Sequence, residues 1–324
     1  MNNKVTELLG VKYPIIQGGL FQLGKSSLVS AVAEAGGFGL ITAGSYKNKQ
    51  QMLDDIDRVK QKTDQPFGVN IAIGIRQDMD EYVEGVIEAE IPVVFTSGYS
   101  PKKYMRQFMD NNIKVFHVVP NVKFAKKAEE LGCSGVVAVG RDCGGHPGKN
   151  AKSIQHLIPE IVSSVNIPVI AAGGFYNGKG LAMAQILGAE AVQYGTRFVM
   201  TAECPLHENI KQLFLTATDE DTTIIKKSIG KPNRVYKSLV SDKVLELEAQ
   251  KVSIEELLPY IGGKAYKRML QTGDINNGVI SLGNCIGFIE DIPTVGKLMQ
   301  NLVKEYEKAI HRLKSPRNGS AINN

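Results

Sequence analysis

Short apolar, β-branched runs recur along the first 194 residues, each followed by turn residues and then a longer amphipathic stretch. Eight can be marked: Ile15–Gly18, Phe38–Ile41, Phe67–Ile71, Val93–Thr96, Val115–Val118, Val136–Val139, Val169–Ala172 and Ala191–Tyr194. Their starts fall roughly 20 to 30 residues apart, room for a strand, a loop and a helix in each unit. The runs are continuously apolar rather than alternating, as strands of a parallel sheet covered on both faces must be. Between them the period lengthens. Ser26 to Ala35 places Leu28, Val29, Val32 and Ala33 on one face and stops at Gly36-Gly37, while Val122–Leu131 and Gly180–Leu187 repeat the pattern and stop at Gly132 and Gly188. Eight such units predict an α/β fold, a (β/α)8 TIM barrel. A doubly wound open sheet shares the periodicity, which does not by itself demonstrate closure.

After Arg197 the pattern changes. Pro205 to Gly273 offers no convincing strand, and helical spacing dominates at Ile210–Thr216, Val240–Leu247 and Ile254–Leu258. The expected organisation is a barrel over 1–204, a helical substrate-binding domain over 205–277, and a return to the barrel over 278–313. In that return Gly278–Ile289 reads as a buried helix and Val295–Leu313 as an amphipathic one. The polar tail, 314–324, lacks apolar anchors and is expected to be disordered.

Composition narrows the function classes. The 324 residues carry 38 basic and 33 acidic side chains, a net +5 spread along the chain, so nucleic acid is not an expected partner. No run of about 18 apolar residues exists to span a membrane, and the start resembles no signal peptide. Cys133, Cys143, Cys204 and Cys285 lie far apart without a CxxC pair, so no disulfide frame or metal site is expected and a cytoplasmic setting fits.

In a (β/α)8 barrel the reactive groups sit where the strands end. Those positions hold Gln17-Gly18-Gly19, Asn70, His117, His146, Gly173-Gly174 and Gly195-Thr196. Glycines after the seventh and eighth strands suit a phosphate, since bare backbone N–H groups can approach an anion closely and Thr196 adds a hydroxyl; the alternative is that Gly173 and Gly174 merely turn the chain. His146, in Gly144-Gly145-His146-Pro147-Gly148, is the acid–base candidate, with a reference pKa near neutrality and glycines that let its loop press on a flat ligand. His117 is a lesser candidate for lining the mouth. Asn70 interrupts an apolar run with a group that both donates and accepts, suited to the edge of a heteroaromatic ring. Cys143 has no companion base and is a weak nucleophile candidate. Lys226, Lys227, Lys231, Arg234 and Lys237 form a basic cluster, either a solvated face or a guide for an anionic substrate.

These loops resemble a known family. Tyr13–Gly19, Pro66–Asn70, Gly144–Gly148, Ala171–Gly174 and Gly195–Phe198 look like the ordered motifs of nitronate monooxygenases, formerly 2-nitropropane dioxygenases, whose scaffold is shared by flavin-dependent enoyl-acyl-carrier-protein reductases and some NADH:quinone reductases. The resemblance implies FMN held without a covalent bond and a helical domain closing over it. Gly18, Gly19 and Leu20 would lie along the isoalloxazine, Asn70 would bond its edge, and Gly144 would pass close to it. Gly173, Gly174, Gly195 and Thr196 would take the phosphate, and His146 would stand over the reactive face. It implies dimerisation as well. Two positions depart from the pattern: Val139 stands where relatives often carry an acidic residue, and Leu20 where methionine is frequent.

The leading expectation is oxidation of alkyl nitronates by dioxygen, which the form of the His146 loop and Glu203-Cys204-Pro205 favour together with the quinone-reductase branch. The alternatives are an NAD(P)H-dependent flavin reductase acting on quinones or enoyl-acyl-carrier-protein, and a non-redox barrel isomerase or lyase with a phosphorylated substrate.

Overall fold

A computed structural model describes residues 1–74 and 78–314; the expected disordered tail falls outside the described residues from position 315 onward. Strands and helices alternate: α1 (Lys4–Leu9), β1 (Ile15–Gln17), α2 (Ser26–Glu34), β2 (Leu40–Thr42) and α3 (Lys49–Lys60) open the chain. Then come β3 (Gly68–Ile73), α4 (Asp80–Glu88), β4 (Val93–Gly98), α5 (Lys102–Asp110), β5 (Lys114–Val119) and α6 (Val122–Glu130). β6 (Gly135–Val139), α7 (Ile154–Val162), β7 (Val169–Ala172), α8 (Gly178–Ile186) and β8 (Ala191–Tyr194) complete the series.

The eight strands pair in parallel in the order β1-β8-β7-β6-β5-β4-β3-β2. A parallel bridge between Ile16 and Phe38 joins the two ends of that list, through Phe38 N–H to Ile15 O and Gln17 N–H to Phe38 O, both 2.9 Å. The buried Gln17 side chain extends the seam by accepting from the Leu40 N–H at 3.0 Å. The sheet is therefore a closed barrel, and the open-sheet alternative is excluded.

Strand parity divides the apolar residues into two sets. Ile16, Leu40, Phe95, Phe116, Val137, Val139, Ile170, Ala172 and Ala191 fill the barrel, with the Phe95 and Phe116 rings stacked at 5.0 Å, and Val5 and Leu9 of α1 plug the end beneath them. Their neighbours on each strand, among them Ile41, Val69, Val94, Val115, Val136 and Val192, face the surrounding helices. At about 25 cal/mol per Å² of apolar surface this double burial is the dominant stabilising term.

Beyond β8 the chain forms α9 (Thr196–Val199) and α10 (Glu208–Phe214). The stretch read as strandless then contains an antiparallel hairpin, β9 (Thr222–Ile225) and β10 (Asn233–Tyr236), followed by α11 (Leu239–Ala249), α12 (Ile254–Ile261) and α13 (Gly263–Thr272). Ile225, Val235, Val240, Val244, Leu257 and Val279 give this segment a small core of its own. The expected buried helix over Gly278–Ile289 is also corrected. Ser281 lies extended beside Val235, and only Asn284–Phe288 coils, as a 3₁₀ turn. Finally α14 (Val295–Lys314) packs against α8 and α2, with Glu203 accepting from the Val295 N–H at its start and Glu305 accepting from the Gly178 N–H at 2.8 Å.

Candidate active site

The inward parity at the C-terminal ends of the strands defines a mouth. Thr42, Asn70, Ser97, Val118, Val139, Ala172 and Gln193 share the parity of the interior cluster, so their side chains belong to the inside rather than the helical shell. Asn70 Nδ2 donates to Phe95 O at 3.1 Å and to Ser97 Oγ at 3.4 Å, which uses both donor hydrogens and leaves the amide oxygen as an acceptor. Gly18 and Gly19 are required by this packing. A Cβ at Gly18 would lie 2.9 Å from Gln193 Nε2, and one at Gly19 would collide with the Asn70 side chain. Leu20 is held by its N–H donating to Thr42 Oγ1 at 2.9 Å. Gln193, a polar side chain against Gly18, is a mouth residue that the sequence reading passed over as part of a strand.

The four phosphate-cradle candidates separate. Gly173 and Gly174 have φ of +101° and +82°, and a Cβ at Gly173 would sit 2.8 Å from Gly140 O, so turning the chain is sufficient reason for both glycines. Gly195 is different. Its φ is −109°, and among the described residues an added Cβ would meet only Leu20 Cδ2, at 3.9 Å. Neither strain nor crowding requires glycine there; the position opens on free space at the start of α9, whose leading N–H groups have no acceptor within their own helix. Thr196 is buried, and its Oγ1 accepts from the Gly283 N–H at 2.9 Å while its hydroxyl bonds the Cys285 sulfur. Bare N–H groups at such a helix start suit an anion.

The loop after β6 is anchored from the far side. Gly145 exchanges backbone hydrogen bonds with Arg234 of β10, at 3.0 and 2.7 Å, and a Cβ at Gly144 would meet the Leu282–Gly283 backbone at 2.8 to 2.9 Å. The absence of a side chain at Gly144 is thus accounted for by that crossing. His146 is exposed, and its Nε2 lies 3.1 Å from Lys226 Nζ, at the end of β9. An ammonium has only donors, so Nε2 is the acceptor and the ring proton sits on Nδ1. Lys226 thereby becomes part of the site, a role that its place in a run of basic residues did not reveal.

Beside His146, between this loop and the β9–β10 turn, runs a cleft of about 770 Å³. Arg141, Lys149, Lys227 and Arg234 line it, with Pro147, Ile224 and Pro232 among its apolar walls.

His117 is corrected as a mouth residue. It has the outward parity of Val115 and Val119, is 4% exposed, and its Nδ1 lies 2.8 Å from Thr96 Oγ1, also outward. Burial holds its pKa down to about 4, so it is a neutral imidazole of the helical shell. The thiols are equally inert: burial pushes Cys143 and Cys204 up to about 12. His156 lies in α7, His207 caps α10 and His311 lies in α14.

A closed barrel with an open glycine cradle after β8, an amide oxygen at its mouth and a histidine over its rim has the layout of a barrel enzyme that binds a phosphorylated cofactor or substrate. Residues 2–92 and 82–305 match the family model described as nitronate monooxygenase. A probable nitronate monooxygenase of Staphylococcus aureus (strain MSSA476) is 31% identical over 272 residues, 71% of this chain and 76% of the relative. The chain therefore belongs to the nitronate monooxygenase family, and it is a flavin-dependent oxidoreductase. A (3aS,4S,5R,7aS)-5-hydroxy-7a-methyl-1-oxo-octahydro-1H-indene-4-carboxyl-CoA dehydrogenase of Rhodococcus jostii (strain RHA1) is 28% identical, the match covering 97% of this chain and 98% of the relative. Among solved structures, FabK from Thermotoga maritima superposes with a TM-score of 0.91 at 36% identity, covering 97% of this chain and 98% of that one.

Proposed function

We propose that the protein is an FMN-dependent oxidoreductase that acts on an acyl thioester, with NAD(P)H as electron donor. The observation that carries the thioester part of this reading is the end-to-end likeness to a relative named as a carboxyl-CoA dehydrogenase, to which the cleft beside His146 adds room for a long ligand. The likeness to FabK over the same span is consistent with it.

The residues divide the work as follows. The N–H groups of Gly195 and Thr196 would hold the FMN phosphate, with Gly173 and Gly174 shaping the neighbouring turn. Gly18, Gly19 and Leu20 would flank the ring, and Asn70, whose donors are both engaged, would offer it an acceptor through its amide oxygen. Val139, apolar where an acid is frequent, leaves the ribityl chain to other partners. When bound, FMN supplies the redox step, and the protein supplies position and electrostatics. His146, protonated on Nδ1 with Lys226 behind it, donates to a carbonyl oxygen or transfers a proton at the substrate.

Oxidation of alkyl nitronates is the second reading, favoured by the family match and by the S. aureus relative. Anaerobic stopped-flow separates the two. Bleaching of the flavin by NADPH or NADH, followed by recolouring with an enoyl-CoA, is the expected result. Bleaching by a nitronate and by neither nicotinamide would overturn the thioester reading in favour of the second.

A further inference from the structure

The cleft between the β6 loop and the β9–β10 turn is absorbed neither by the barrel mouth nor by the phosphate cradle. Among the described residues four cations line it, Arg141, Lys149, Lys227 and Arg234, and no carboxylate does. Two acids stand nearby, and Asp142 acts on Arg234 as well as on Arg141. Asp142 Oδ1 is 4.0 Å from Arg141 Nε, and Glu248 accepts from the N–H groups of Lys226 and Ser228 and from the Ser228 hydroxyl, at 2.6 to 2.9 Å. Glu248 thus holds the hairpin turn in place. Arg234 is fixed in the same way. Its Nη1 donates to Thr222 Oγ1 at 3.0 Å and its Nη2 to Arg141 O at 3.2 Å, and its buried Nε–H has no acceptor among the described residues. A guanidinium held in place in this way presents its charge to an anion in the cleft.

The remaining wall is apolar, from Pro147, Ala151, Ile224, Ile229 and Pro232. Apolar surface beside four cations matches a purine ring attached to phosphates better than it matches a small monoanion. Pro147 and Lys227 place one end of the cleft directly next to His146 and Lys226.

We propose that this cleft is a nucleotide-tail site. It takes the phosphorylated adenosine diphosphate portion of a co-substrate whose reactive end passes His146 toward the barrel mouth. NADPH and a coenzyme A thioester both carry that tail. The assignment rests on the oxidoreductase reading only in that it supplies such a co-substrate, and its test reads binding rather than turnover.

The experiment uses the purified full-length flavoprotein and four probes, NADPH, NADH, coenzyme A and pantetheine, with Kd measured by calorimetry at low and moderate salt. The wild type should bind NADPH at least about 10-fold more tightly than NADH, or coenzyme A at least about 10-fold more tightly than pantetheine. The first result identifies the donor as the occupant and the second the acyl carrier. Lys149→Glu with Lys227→Glu, both exposed positions, should weaken the preferred probe by about 10²-fold with the flavin spectrum and Tm unchanged. The milder pair Lys149→Gln with Lys227→Gln should weaken it by about 10-fold. If neither phosphorylated probe is preferred, or if the variants bind as the wild type does, the cleft is not a nucleotide-tail site. A colourless protein would instead undermine the flavin reading, a separate failure.

Discussion

Replacing Gly195 by aspartate tests the cofactor cradle at its least ambiguous position. The backbone there is outside the left-handed region, and a Cβ meets nothing nearer than Leu20 Cδ2 at 3.9 Å, so the side chain enters open space and the fold should not object. What it brings is charge. One unit charge about 5 Å from another, at an effective dielectric of about 20, costs about 3 kcal/mol, and a phosphate ester carries between one and two charges near neutral pH. The penalty is therefore about 3 to 6 kcal/mol, or about 10² to 10⁴ in Kd for FMN. Gly195→Ala adds almost the same steric bulk without the charge and should change Kd by less than about 10-fold. Flavin titration of the stripped protein, followed by fluorescence quenching, reads both values, and a thermal melt checks folding. If Gly195→Asp binds FMN like the wild type, the phosphate is not at the start of α9. If alanine is as damaging as aspartate, the cradle is shaped by packing and the electrostatic account fails.

Further expectations concern the rim and the scaffold. His146→Ala should leave flavin bound and slow turnover by about 10² to 10⁴; unchanged turnover would remove the imidazole from proton transfer. Asp55 is a buried acid in α3. Burial pushes its pKa up, but hydrogen bonds from Tyr46 Oη (2.6 Å), Ser26 Oγ (2.8 Å), Ser26 N–H (3.0 Å) and Arg58 outweigh this and hold it low. Asp55→Ala strands those donors and should cost about 2 to 4 kcal/mol in urea unfolding, a loss below about 1 kcal/mol counting against the network. His117 gives a pH signature. Its folded pKa of about 4 lies below the unfolded 6.5, so the unfolded chain takes up the proton first. Stability is then present above pH 6.5 and falls as pH drops from 6.5 toward 4, by at most about 3 kcal/mol. Unfolding curves of His117→Gln should lack that decline, and an unaltered decline would assign it elsewhere.

The eight barrel strands were legible because each is a continuous apolar run ended by glycine or a polar turn, and the structure places all eight within a few residues of those runs. Which face of each strand points inward was not legible. When both faces are buried, the alternation that would mark a side is lost, and so His117 read as a mouth residue although its partner is Thr96 beneath the helices. The hairpin was missed for another reason. Thr222–Ile225 and Asn233–Tyr236 are four residues each, joined by a basic turn, and their further support comes from Gly145 and Ser281, far away in sequence. Gly278–Ile289 looked helical because a buried extended segment and a buried helix are equally apolar. Of the site, Asn70, Gly195 and His146 announced themselves as polar or glycine positions at strand ends. Lys226 did not, because its importance comes from the hairpin that carries it to His146.

The central claim is that the mouth of this barrel holds FMN. It is tested most directly by the visible spectrum of the purified chain, together with the identity and amount of flavin released on denaturation. An absorbance band near about 450 nm and one FMN per chain are the predicted result. A colourless protein that takes up no FMN on titration would contradict it.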